Sequence, residues 1–389
     1  MLPPRDQLLW LRRGEGMIGL GTALRMEFSG PDRFRDAAAA WRDVAAHATV
    51  TDDVAVPGSG LIALGAFTFS SRSAESSVLI VPSQVIGRRH GEAWLTTIGT
   101  GLEAEAPLRA PRAPAATETV AFAPGQLNAD GYLATVGRAL ERIEHGDVSK
   151  VVLARDMIGH LPPNADTAAA LAMLASGYPD CWTFAVDDFL GSSPETLVGV
   201  ASGTVTARVL AGSAARGVDA ATDQKASVDL ATSAKDQDEH QYAVQSVLAA
   251  LRPHTPGVTA SELPFTLRLP NLWHLASDVE GVLADGSSAL DLIGSLHPTA
   301  AVAGTPTAAA IALIEELEPF DRGRYAGPVG WIGADGDGEW AIALRCAQIG
   351  SDDVARAYAG AGIVAESVAE HELAETSLKF RPIIEAFTA

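Results

Sequence analysis

The chain has 389 residues, 47% of them hydrophobic and 20% charged, enough apolar side chain to bury a large core. Its formal net charge of −20 offers no basic stripe to neutralise phosphates, which excludes nucleic acid as an expected partner. A small anionic ligand is still admissible where local cations, a metal or helix N-termini gather it. Cys181 and Cys346 make no disulfide framework, and no Cys/His spacing resembles a zinc site. The opening MLPPRDQLLWLRRGEG lacks an apolar run of signal-peptide length, and the apolar stretch Ala300–Ile314 is broken by Gly304 and Pro306. The expectation is a cytoplasmic protein without a membrane span, monomeric or weakly associated.

In chain order, Asp32–Ala46 carries a helical pattern, and Leu61–Phe69 and Ser77–Val85 are strand-like runs bounded by Gly, Pro and Ser. EAEAPLRAPRAPAATET then reads as a surface connection, either a domain linker or a long loop. Tyr132, Val136, Leu140 and Ile143 recur at helical spacing, with Gly146 as the stop. Lys150–Ile158 reads as a strand. Further helices are predicted at Thr167–Ser176, Ala226–Leu251, Ala308–Leu317 and Ala369–Ala386. Further strands are predicted at Cys181–Val186, Leu197–Val200, Thr204–Val209, Gly327–Ile332, Trp340–Ile349 and Val354–Ala359. Strands arriving in groups between helices imply large antiparallel or mixed sheets with helices outside. No glycine-rich turn has nucleotide-binding spacing, and no internal repeat is visible.

Acidic pairs give the strongest chemical signal. Asp236 and Glu239 stand three apart on one helix face, and Glu372 and Glu375 repeat that spacing, with Lys379 one turn later. If the two helices face each other, four carboxylates converge, and a hard divalent cation such as Mg²⁺ relieves their repulsion. Spacing alone favours the plainer reading of two solvated helix faces. Arg345, in the apolar run WAIALRC, either pairs with an acid or points into a cleft to grip a carboxylate. Gly360 and Gly362 at the end of a strand, and Gly212 with Ser213, are places where backbone N–H groups can meet an anion, or ordinary turns. Lys150 opens a strand, Glu195 lies in the turn-like GSSPE, and His274 and His297 sit in apolar surroundings. Taken singly, each reads as a rim charge, a loop acid or a core histidine.

Taken together, KVVLAR, FLGSSPE, VLAGSAAR, KDxxEH, LWHLAS, LHPTAAVAGTP, ELEPFDRGRYAGPVGW, GEWAIALRC, YAGAGIV and ExxETxxK resemble the chorismate-utilising family, in its order, from about Gln126 to the C-terminus. That family includes isochorismate, salicylate, anthranilate and aminodeoxychorismate synthases. The resemblance implies a single α+β domain over residues 1–389, with residues 1–118 divergent and 126–389 the catalytic core. Two stacked, mainly antiparallel sheets would be flanked by outer helices. It implies Lys150 as the base that activates water and Glu195 as the acid that protonates the departing hydroxyl. Glu239 and Glu375 would hold Mg²⁺, with Asp236 and Glu372 in support. Arg345, Lys379, Tyr325, Gly360 and Gly362 would hold the carboxylates of chorismate, with His274, Gly212 and Ser213 lining the pocket. For this chemistry the Lys150 amine must be depressed from its ordinary ~10.4 and the Glu195 carboxyl raised.

Within the family, Ala211 stands where aminodeoxychorismate synthases typically carry a lysine, and Ala301 where ammonia users tend to have threonine. No glutaminase-like segment is fused here, so an ammonia user would need a separate partner; the isochorismate type implies no glutaminase subunit. The pattern resembles the isochorismate type. The alternatives are salicylate formation in the same pocket and a catalytically silent chorismate-binding relative.

Overall fold

The computed structural model describes residues 7–99, 119–163, 165–269 and 272–388, with Lys235 and Glu239 described in their backbone alone. The Ala/Pro-rich connection, apart from Thr119, lies outside the described residues. The chain opens with strands β1 (Leu8–Arg12), β2 (Glu15–Leu20) and β3 (Leu24–Phe28), then helix α1 (Arg33–His47). Next come β4 (Ile62–Ala66), β5 (Ser77–Val81), β6 (Gln84–Arg89) and β7 (Glu92–Thr97). Past residue 118, β8 (Phe122–Pro124) leads into α2 (Ala129–Glu144) and the long strand β9 (Lys150–His160). Helix α3 (Ala168–Gly177) precedes β10 (Trp182–Val186), β11 (Phe189–Ser193), β12 (Thr196–Ala201) and β13 (Thr204–Ala215). Helices α4 (Ala220–Thr232) and α5 (Ala234–Leu251) are followed by β14 (Val258–Ala260), β15 (Phe265–Arg268) and β16 (Leu272–Val282). Then come α6 (Ala289–Leu296), β17 (Gly304–Thr305) and α7 (Thr307–Leu317). Strands β18 (Pro328–Gly333), β19 (Gly338–Ile342), β20 (Cys346–Ile349) and β21 (Val354–Ile363) lead to the closing helix α8 (Ala369–Thr388).

Among the described residues the strands form two antiparallel sheets, and the chain has the expected α+β class. The first has eleven strands, in the order β17-β9-β21-β20-β11-β10-β1-β2-β6-β7, with β8 also beside β9. The second has ten, in the order β14-β16-β13-β12-β19-β18-β4-β5-β3, with β15 also beside β16. Each sheet therefore draws strands from both ends of the chain. Their facing sides share one core, in which Trp10 of the first sheet meets Glu339 of the second through its indole N–H, at 3.1 Å. On the outer face of the first sheet, α3 and α8 bury Leu171, Leu174, Phe380, Ile383 and Phe387 against Leu190, Ala357 and Ala359.

Strand sequences follow their place. Every residue of β4, β5 and β10 is buried, and these read as mostly apolar runs, with Ser77 and Thr183 the polar exceptions. Toward the edge, β6 alternates buried and exposed residues. Helix α2 begins where the Asn128 side chain accepts from Gly131 N–H, and it stops at Gly146, whose φ of +81° only glycine adopts cheaply.

Three expected elements divide in two. Ser77–Val85 breaks at Pro82, which has no N–H to give, so β5 joins the second sheet and β6 the first. Ala226–Leu251 breaks at Ser233, which turns extended and caps α5 by accepting from Asp236 N–H. Trp340–Ile349 breaks at Ala343–Arg345. Strand β16 is not among the expected elements, because His274 and Ser277 interrupt its apolar run.

Asp156 of β9 is fully buried, accepts from Leu127 N–H at 3.2 Å and pairs with Arg356 of β21. The D156A variant is expected to lose roughly 2–4 kcal/mol, because a buried donor and a half-covered guanidinium lose their acceptor. Urea unfolding reads this as a lower midpoint at unchanged slope; an unmoved midpoint would show the pair to be dispensable.

Candidate active site

Two chain segments cross between the sheets side by side. One runs from β11 in the first sheet through Pro194 and Glu195 into β12 of the second. The other runs from β19 in the second sheet through Ala343–Arg345 into β20 of the first. They pair before and after the crossing, β11 with β20 and β12 with β19. At the crossing itself Ile342 N–H donates to Glu195 C=O at 3.1 Å, and Ser192 N–H to Arg345 C=O at 3.1 Å. The Ser193 hydroxyl donates to Ile342 C=O and accepts from Glu195 N–H at 3.3 Å. Arg345 is therefore not the strand residue that the sequence implied. It sits between strands with φ of +49°, a conformation costing a side-chain-bearing residue about 1–2 kcal/mol. Glu195 is no solvated loop acid either. It is 6% exposed.

Both residues line a cavity at this junction, and Lys150, the first residue of β9, lines it as well. Asp236 comes from the first turn of α5, where its carboxylate faces the positive end of the helix dipole. Its neighbour Gly212 forms a bulge in β13, with φ of +80° and an absent Cβ that would lie 3.1 Å from the Asp236 Cβ. That bulge brings Ser213 to the cavity. From α8, Glu372, Glu375 and Lys379 face inward together, as their spacing of three and four requires. Lys379 Nζ sits 2.6 Å from Glu375 Oε1 and donates to Gly360 C=O at 2.9 Å, while the Ser213 hydroxyl donates to Glu375 at 3.1 Å.

The glycines of β21 lie inside the strand, which continues to Ile363. Neighbouring β20 stops opposite Tyr358, so beyond it that edge of β21 has no paired strand among the described residues. Gly360 and Gly362 border the cavity there. Tyr325, buried and stacked on Tyr358, and Ala301 complete the expected set on the cavity wall. Of all the residues singled out for the site, only the Glu239 side chain lies outside the described residues; its backbone is in α5. Val152, Leu210, Val302, Ala326 and Leu344 also line the cavity and were not anticipated. Val152 could have been read as the next residue on the Lys150 face of β9; the others carry no chemical signature.

Burial and charge set two carboxyls apart. Burial pushes Glu195 up to about 7, against the opposing pull of Arg345, Lys150 and Lys379. Burial acts on Glu375 in the same direction, but its ion pair with Lys379 and the Ser213 hydrogen bond hold it below the usual carboxylate range. One is thus a proton donor near neutrality and the other a standing anion. The Arg345 guanidinium meets no protein acceptor among the described residues, leaving its donor fork for a ligand. His274 of β16 is held down to about 3, first by burial and then by Arg345 and Lys379. Its Nδ1 lies 3.3 Å from Gly212 C=O, which can only accept, so Nδ1 carries the hydrogen. Nε2 is buried without a partner among the described residues and is a bare acceptor.

A family profile described as chorismate binding enzyme matches residues 4–388. The chain belongs to that family. It is 41% identical over 269 residues to isochorismate synthase DhbC of Bacillus subtilis (strain 168), covering 66% of this chain and 67% of that protein. The crystal structure of DhbC from Bacillus anthracis matches with a TM-score of 0.81 at 31% identity, over 98% of this chain and 96% of that one. MenF, the menaquinone-specific isochorismate synthase from Escherichia coli, matches with a TM-score of 0.78 at 26% identity, over 100% of this chain and 90% of that one. The chorismate binding enzyme family thus spans both sheets, including the N-terminal strands whose sequence resembles it only loosely.

In this chorismate binding enzyme the imidazole of His274 is expected to remain neutral, in its Nδ1–H form, from pH 8 down to about 4. Long-range nitrogen–proton NMR spectra of labelled protein test this; a protonation midpoint near 6 would contradict the burial that the structure gives it.

Proposed function

We propose that the chain is an isochorismate synthase, adding water at C2 of chorismate and expelling the C4 hydroxyl as the ring double bonds shift. The observation that carries this reading is the buried pair Lys150 and Glu195 on one cavity, beside an unpaired guanidinium and a carboxylate-bearing helix. Lys150 takes the proton of the attacking water. Glu195, neutral below about pH 7, gives its proton to the leaving hydroxyl, which would otherwise depart as hydroxide. Arg345 and Lys379, with the Gly360 and Gly362 backbone, hold the two carboxylates. A dianion bound there offsets the cations that pull Glu195 down and so keeps its proton in place.

The donors suit Mg²⁺. Asp236, Glu372 and Glu375 reach one cavity from two helices, all with oxygen ligands, and Glu375 is ionised. Glu375 and Glu239 would hold the ion, with Asp236 and Glu372 in support. When bound, it supplies charge that draws electron density from the ring through the carboxylate. No helix among the described residues is long and apolar enough to cross a membrane.

Incubation with chorismate and Mg²⁺ is expected to yield isochorismate, separated by chromatography, and to stop in excess EDTA until Mg²⁺ is restored. Salicylate with pyruvate would select the lyase reading instead, and ammonia-dependent anthranilate would overturn both. Lys150→Ala should cut kcat by about 10²-fold or more with the fold intact; unchanged turnover removes its role. Glu375→Gln should raise the Mg²⁺ requirement by roughly 10–100-fold, and superimposable metal titrations would refute the assignment. Because Glu195 must be protonated to act, kcat/KM should fall as pH rises through about 7. In E195Q that fall should vanish along with most activity. A profile flat to pH 9 in the unmodified enzyme would leave Glu195 without its part.

A further inference from the structure

The outer edge of β9 is paired by strands only near its ends. It meets β17 at Lys150 and Val151, and β8 at Met157–Gly159. Between them, the edge groups of Val152 and Ala154 find other partners. Val152 N–H donates to Ala303 C=O at 2.9 Å, outside any strand. Arg322 Nη2 donates to Val152 C=O at 2.7 Å, and Ala154 N–H donates to Glu318 Oε1 at 2.7 Å.

Glu318 and Arg322 are themselves a two-pronged ion pair, with Nε to Oε2 at 2.8 Å and Nη2 to Oε1 at 2.6 Å. Their side chains are 1% and 3% exposed. Arg322 also donates from Nη1 to Val302 C=O at 3.1 Å and lies over the rings of Phe69 and Tyr325. One pair therefore touches three pieces of the cavity wall: β9 behind Lys150, the segment behind Ala301, and Tyr325. Stability alone does not call for such a pair, since an apolar pair of similar volume often serves as well. Its geometry is what an apolar pair cannot copy, because it presents one acceptor and one donor to the two β9 groups that a neighbouring strand would otherwise meet, and a second donor to Val302 C=O.

We propose that the Glu318–Arg322 pair takes the place of a strand along the middle of β9 and positions the Lys150 amine against the wall at Ala301 and Val302. Neither residue touches the reacting atoms; both act through backbone. The inference rests on the chorismate reading of the site. Since Arg345 and Lys379 lie on other segments, displacement of β9 should cost turnover far more than binding.

The test compares the unmodified enzyme, K150A, E318L/R322M and R322K by chorismate turnover, chorismate calorimetry and urea unfolding. The folded double variant is expected to bind chorismate within about threefold of the unmodified enzyme and to lose roughly 100-fold in kcat. R322K, which keeps the charge but not the fork, should fall between them. A purely structural pair would lower the unfolding midpoint and leave kcat per folded molecule alone. Unchanged kcat in folded E318L/R322M, or a loss carried wholly by KM, overturns the proposal. Should the double variant not fold, R322K decides: a lowered kcat at unchanged KM supports positioning, and an unmodified kcat overturns it. An unmodified enzyme inert toward chorismate sinks the functional reading together with the inference built on it; a turnover that K150A shares removes the base that the pair is said to place.

Discussion

Two neighbouring segments leave one sheet and enter the other at the same level, and neither can carry regular pairing through the bend. Their backbone groups must still be satisfied, since the surroundings exclude water. Ser193 and the carbonyls of Glu195 and Arg345 meet that demand, holding the bend in one shape. The bend then aims two side chains into the space between the sheets. Had Arg345 stayed in a regular strand, its side chain would alternate with its neighbours across the sheet rather than project at the junction. The strained backbone at Arg345 is thus tied to the placement of an unpaired guanidinium beside a buried acid.

Around this junction, environment rather than residue type decides the charge state. Glu195 and Glu375 line the same cavity and have the same side chain. Burial dominates at one, and a lysine with a hydroxyl donor dominates at the other. His274 follows the same rule: enclosed among cations and tied by Nδ1 to a carbonyl, it offers an acceptor instead of a charge. The site is a small volume in which proton donor, anion and neutral acceptor are kept distinct by burial and by their charged neighbours.

Much of this was legible in the sequence because chemistry-bearing residues announce themselves by spacing. The three-and-four pattern of Glu372, Glu375 and Lys379 defines one helix face whatever the fold, and it does face the cavity. Gly212 and Ser213, weak as a turn signal, gained meaning only from the order of motifs around them. What could not be read were breaks imposed by the second sheet. Trp340–Ile349 looks continuous because each half has strand-like residues and nothing local marks the passage between layers, while in Ser77–Val85 Pro82 marks a break but not the change of sheet. Glu318 and Arg322 were missed for a related reason: their partners are backbone groups of a strand far away in sequence, and backbone groups leave no trace in residue identity. Leu344 and Val302 are ordinary apolar residues whose place depends on where the crossing falls.

The cavity sets Lys150, Arg345 and Lys379 among its own acids, within a chain whose formal net charge is −20. A small dianion approaching from solution meets repulsion at long range and attraction only close to those three cations. Ions in the medium shorten the far field, whose reach is about 8 Å at physiological ionic strength, more than they loosen contacts inside a closed cleft. Moderate salt should therefore hasten capture, the reverse of enzymes whose surfaces funnel anions inward. The same far field turns away bulky polyanions, which are too large to escape it by entering.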